Sequence, residues 1–117
     1  MKIFTELEIE KVNLYIGCKL KYERLKLGFS QHQLATKIES DNTAIGRLER
    51  AEHFTSWALI MLVAQTLNVD YCSLFQVPEK TEMEKIVREC RSLETKLTTK
   101  KEEFYSHLSN RIRKLYK

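Results

Sequence analysis

Apolar residues recur along this chain at the three- and four-residue spacing of a helix face, in short blocks separated by single punctuating residues. Thr5-Glu6-Leu7-Glu8 opens the first block as a capping box, in which the Thr side chain accepts from the N3 backbone N–H and the Glu reaches back. Val12, Ile16 and Leu20 follow along one face, which predicts a helix running to about Lys26. Gly28 ends it, because a left-handed residue after a helix is least costly as glycine. Ser30 is placed to cap a second helix with Leu34, Ala35 and Ile38 on one side, and Ser40 to cap a third with Ile45 and Leu48 facing inward. After an irregular AEHFT, Ser56 caps a fourth helix bearing Trp57, Ile60, Val63, Ala64 and Leu67, with Asn68 as its left-handed stop. Asp70 then caps a short fifth helix, YCSLF, and Pro78 marks the boundary before a long polar helix.

The second and third blocks lie almost back to back. Counting Gln31 as position one, Leu34, Ala35, Ile38, Ile45 and Leu48 fall at positions 4, 5, 8, 15 and 18. That spacing fits a helix-turn-helix, in which two helices meeting at a steep angle need a small side chain where their axes come closest; Ala35 supplies it.

Composition sharpens the class without changing it. The 117 residues suffice for one core, and with three Gly and one Pro turns are few, so the expected fold is all-α. No apolar run reaches the length of a signal peptide or a membrane span, which leads to the expectation of a cytoplasmic protein with no membrane partner. The net charge of +4 is unevenly spread: residues 78–117 carry 11 Lys/Arg and 7 Asp/Glu, while residues 11–50 hold 8 Lys/Arg against 4 Asp/Glu. A local basic patch suits a polyanion, although ordinary solvated faces carry similar ones. Cys18, Cys72 and Cys90 are odd in number and lack zinc spacing, so buried free thiols are expected, with no metal and no cofactor. His32, His53 and His107 stand far apart, and neither a Gly-rich phosphate loop nor a Ser/His/Asp arrangement is present, so no enzyme is expected.

Ile16 to Phe75 resembles the five-helix DNA-binding domain of the phage-repressor-like (Xre) helix-turn-helix family, through RLKLGFSQ with the following LA, the IGRLER run, and LNVDYCSLF, each in the family's order. The resemblance implies that the third helix, roughly Asp41 to Glu49, enters the major groove of double-stranded DNA. Side chains near its start would then reach base edges: Asp41, Asn42 and Thr43, with Arg47 one turn on and suited to a bidentate contact with guanine. Gln31 matches the family's phosphate-gripping residue; Ser30, Arg50 and His53 are further phosphate candidates. Arg24 and Glu49 occupy positions that form an ion pair in the resembled repressors. Three departures affect the corner: Glu39 stands where the family often has Gly, Ala51 where a Gly usually closes the recognition helix, and Gly46 sits inside that helix. The implied function is a sequence-specific transcriptional regulator that represses by covering a promoter; an antitoxin-like or adaptor protein and a purely protein-binding module are the alternatives.

Residues 1–77 are thus expected to form a helix-turn-helix domain with an N-terminal helix extension, and 78–117 a C-terminal helical dimerisation segment. A seven-residue register in that segment meets Lys100, His107, Arg111 and Lys114 at its seam, whereas an eleven-residue register aligns Ile86, Cys90, Leu93, Leu97, Phe104, Leu108, Ile112 and Leu115, with Lys101 as the one polar position. A helix of this length extends about 60 Å, too long for the domain to cover, which predicts a partner helix. A second copy, placing two recognition helices on a palindromic site, is the expected partner; a different protein gripping the same helix, or a helix broken near Thr98-Thr99 and folded back as a hairpin, are the alternatives.

Overall fold

The local start and stop signals are used almost residue for residue in a computed structural model, which describes residues 4–117. Helix α1 spans Glu6–Lys26 behind the Thr5 box, with Glu8 N donating to Thr5 Oγ1 and Thr5 N to Glu8 Oε1, both at 3.1 Å. Helix α2, Gln31–Lys37, opens with a second box in which Ser30 Oγ accepts from Gln33 N while Ser30 N donates to Gln33 Oε1. Helix α3 spans Asn42–Arg50 and begins one residue later than expected: Asp41, not Ser40, is its N-cap, its Oδ1 accepting from Ala44 N at 2.8 Å. Helix α4, Trp57–Thr66, follows the Ser56 cap, and its first residue, Trp57, is exposed instead of facing the core. The expected fifth helix is a single 3₁₀ turn, Tyr71–Leu74. Left-handed residues close the first four helices: Gly28 at φ 78°, Glu39 at 54°, Ala51 at 51° and Asn68 at 58°.

Helix α1 is a shared wall between two cores. Its Ile16 and Leu20 pack with Leu34, Ala35, Ile45, Leu48, Ile60 and Val63, which joins α1 to the helix-turn-helix. Its other side offers Leu14 and Cys18 to Met83, Ile86, Val87 and Cys90 and to Tyr105, Leu108, Ile112 and Leu115. Burial pushes the Cys18 thiol up to about 12 and also raises Cys90, so neither is a nucleophile at neutral pH; Cys72, expected to be buried, is exposed.

The C-terminal segment is helical, but it is not one long helix. Helix α5 spans Lys80–Leu93 and α6 Thr99–Leu115, and they pack together antiparallel, with Tyr116 Oη donating to Pro78 O at 2.5 Å to join the end of one to the start of the other. The longest extent of the fold is 40 Å. The break falls at Glu94, whose backbone is extended (φ −66°, ψ 127°) and whose nearly buried carboxylate takes Lys21 Nζ and Lys101 Nζ at 3.6 Å each and Tyr105 Oη at 3.0 Å. Thr98 then restarts the chain as N-cap of α6, accepting from Lys101 N.

Folding back turns the apolar stripe inward. Ile86, Cys90, Leu108, Ile112 and Leu115 are buried inside their own chain, Leu93 and Phe104 are half-buried, and Leu97 is exposed in the turn. The expected seam is therefore occupied, and the premise that the domain is too small to cover it fails. A short loop closes cheaply within one chain, whereas a partner helix would first have to offset roughly 4–15 kcal/mol of lost translational and rotational freedom.

Candidate nucleic-acid interface

The corner between α2 and α3 is set by Glu39 and Ser40. Ser40 N donates to Ala35 O at 2.9 Å and Glu39 N to Thr36 O at 3.3 Å, so the left-handed Glu39 closes the end of α2 with its own backbone. Helix α3 then leaves with Ile45 and Leu48 buried against α1, α2 and α4, and the opposite face open. Asp41, Asn42, Thr43 and Arg47 are all exposed, the first three at the cap and start of α3 and Arg47 in its last turn, so the structure leaves all four base-contact candidates open to solvent on one helix. The carboxylate of Asp41 is held by its capping bond, leaving Asn42, Thr43 and Arg47 as the side chains with donors directed to solvent.

The phosphate candidates are placed less uniformly. Ser30 is committed to its capping box but remains exposed, and Gln31, half-buried, donates from Nε2 to Glu49 Oε1 at 3.0 Å. Arg50 is exposed and pairs with Glu52 at 2.7 Å, a contact worth little at a solvated site. His53 is exposed in the loop after α3. Gly46 is buried rather than exposed: a Cβ there would lie 3.0 Å from Arg50 Nη1 and 3.7 Å from Gln31 Oε1, movable side-chain ends that account for a close lateral fit without making it rigid.

The scaffold grips α3 from its far end. Arg24 Nε donates to Glu49 Oε2 at 2.6 Å and Nη2 to Glu49 Oε1 at 3.0 Å, both side chains buried, while Arg24 Nη1 donates to Phe29 O at 2.7 Å. The guanidinium thus ties α1, the start of α2 and the end of α3 at one point, and its bidentate geometry fixes direction as well as distance.

Three residues of this grip escape a sequence reading. At Gly17 a Cβ would meet Leu48 O at 2.6 Å and Glu49 O at 2.9 Å, so α1 and the last turn of α3 touch backbone to backbone. Asn13 Nδ2 donates to Ala51 O and His53 O, each at 3.3 Å, and Arg111 of α6 donates to Arg50 O at 2.8 Å and to Ala51 O. Gly17 had a local signal, since a glycine inside a well-patterned helix forfeits about 1 kcal/mol against Ala and implies a reason. Asn13 and Arg111 had none, because an exposed-looking polar residue on a helix says nothing about a carbonyl far along the chain.

Among the described residues no group of three or more His, Cys, Asp and Glu side chains converges as a metal site, and no helix is long and apolar enough to cross a membrane. Residues 20–74 match the helix-turn-helix family model, from the middle of α1 through the 3₁₀ turn. No curated protein and no solved structure matches the chain.

Proposed function

We propose that this chain, which belongs to the phage-repressor-like helix-turn-helix family through residues 20–74, is a sequence-specific DNA-binding regulator of transcription that catalyses no reaction. The observation that carries the reading is the division of α3: Asn42 and Thr43 at its start and Arg47 in its last turn are exposed, while Ile45, Leu48, Glu49 and Ala51 are locked into the scaffold. An exposed polar face on a rigidly held helix is what major-groove readout requires. In this reading Arg47 and Asn42 specify bases, and Ser30, Gln31, Arg50 and His53 lie along the phosphate backbone. Occupying a promoter blocks polymerase, which makes repression the outcome, and the cytoplasm is where the DNA is met.

The same reading takes the regulator as a homodimer on a palindromic site, with the seam moved. The stripe of α5 and α6 is covered, but a groove of about 370 Å³ lined by Ile9, Val12, Phe54, Phe75 and Val77 stays open, with Phe54 68% exposed. Phe54 stands three residues beyond the cap of α3, so a second copy seated there fixes the separation of two recognition helices, which a two-fold site demands.

Selection of bound duplexes from a random pool, followed by affinity against salt, tests both parts. A preferred site should emerge, its affinity falling with a slope of about −0.9 per neutralised phosphate. Weak, salt-insensitive association with every duplex would refute DNA binding. Sedimentation of the full chain should show a dimer that Phe54→Asp dissociates; a monomer that selects non-palindromic sites would remove the dimer and leave the DNA reading standing.

A further inference from the structure

A helix leaves its last carbonyls without partners of its own, and their satisfaction from outside is a point of control over the helix axis. In α3 these groups are claimed from both flanks of the chain. Arg111 Nη1 donates to Arg50 O at 2.8 Å, Arg111 Nη2 donates to Ala51 O, and Asn13 Nδ2 donates to the same Ala51 O at 3.3 Å. Neither Asn13 nor Arg111 belongs to the matched segment, residues 20–74. Arg111 comes from α6, the second helix of the hairpin, and among the described residues it pairs with no carboxylate, its guanidinium being given over to the two carbonyls. A cation at a helix C-terminus also meets the negative end of the helix dipole.

We infer that Arg111 is a positioning residue for DNA readout: from the C-terminal hairpin it sets the direction of the recognition helix, and base discrimination by Asn42, Thr43 and Arg47 depends on it. The inference rests on the DNA-binding reading above. Its leverage follows from geometry. Helix α3 has nine residues, a length of roughly 13 Å at 1.5 Å per residue. Its reading end carries the Asp41 cap, which belongs to α3 itself, and meets the scaffold through apolar packing of Ile45 and the Ser40 turn, so the directional polar contacts that fix the helix axis lie at the other end. A tilt of about 5° at the anchored end therefore moves the reading end by about 1 Å, more than the few tenths of an ångström a hydrogen bond to a base tolerates. The hairpin, whose apolar stripe packs against Leu14 and Cys18 of α1, is then a working part of the reading head.

The test uses the full chain with Arg111→Gln and Arg111→Lys, each titrated against the selected duplex and a random duplex at a temperature where circular dichroism shows the variant folded. Arg111→Gln should weaken the selected duplex by about tenfold or more and the random duplex by less than about threefold, because base contacts and not phosphate contacts are misaligned. Arg111→Lys keeps the charge but replaces the planar fork, which gives each carbonyl its own nitrogen, with a single ammonium, and should fall between. Loss of charge alone would lower both affinities together and overturn the inference. So would an unchanged ratio in a folded variant. If Arg111→Gln does not fold, the ratio for Arg111→Lys decides. A wild-type chain that enriches no duplex refutes the DNA reading itself, an outcome that requires no variant and so is distinct.

Discussion

The two ends of α3 are held by different kinds of contact. At the start, Asp41 caps the helix with its own carboxylate, and Asn42 and Thr43 stand in solvent, so among the described residues the side chains of this end are bound by nothing beyond α3 itself. At the finish, Glu49 takes Arg24 from α1, the carbonyls of Leu48 and Glu49 lie against Gly17, and Ala51 O accepts from Asn13 and Arg111. The contrast separates two jobs. Freedom at the start keeps the reading side chains available to DNA, and the finish supplies the rigidity that makes their position reproducible.

The contrast can be broken most severely at Arg24. Replacing it with Ala leaves Glu49 buried with only Gln31 Nε2 as donor, and chemical denaturation should show a loss of about 3–5 kcal/mol, the usual cost of stranding one member of a buried pair. An unchanged midpoint would mean that the pair does not hold the helix.

Next comes Gly17→Ala, where the sign is the test. In an open helix interior this change stabilises by about 1 kcal/mol. Here the added Cβ meets backbone oxygens at 2.6 and 2.9 Å, which no rotamer change relieves, so thermal unfolding should instead report a loss of about 1–3 kcal/mol. A gain in melting temperature would show that α1 and α3 are not in backbone contact.

On the exposed face of α3 the effect should move from folding to binding. Arg47→Ala is expected to leave the melting temperature in place while costing about 1–3 kcal/mol on the selected site and relaxing one base position, whereas Gln31→Ala weakens all sites alike. Equal losses on selected and random duplexes for Arg47→Ala would remove it from base readout.

The finest comparison sets Glu39 against Ala51, which share a left-handed backbone at φ 54° and 51°. Glu39 is exposed, so Glu39→Gly should relieve strain and raise stability by up to about 1 kcal/mol. Ala51 is buried, and the same relief is offset by about 0.8 kcal/mol for the lost methyl, leaving Ala51→Gly near neutral in urea denaturation. Equal gains at both sites would show that burial of the Ala51 methyl contributes nothing.

Sequence alone determined whatever closes within about one helical turn. The boxes at Thr5–Glu8 and Ser30–Gln33, the stops at Gly28 and Asn68, and the apolar spacing of Leu34, Ala35, Ile38, Ile45 and Leu48 are local devices, and each acts in the structure as its residues suggest. Ser40 and Asp41 show the limit of even that: both are capping residues, and the choice between them depends on how the preceding turn is closed. Only tertiary structure decided the rest. The stripe from Ile86 to Leu115 has the same period whether it faces a partner or its own α1, and what breaks it is Glu94, held by Lys21 from far upstream and by Tyr105 and Lys101 from beyond the turn. Likewise Arg111 caps α3 across 60 residues of chain. Periodicity fixes which face of a helix is apolar; what that face meets depends on where the chain returns, and no local pattern encodes that.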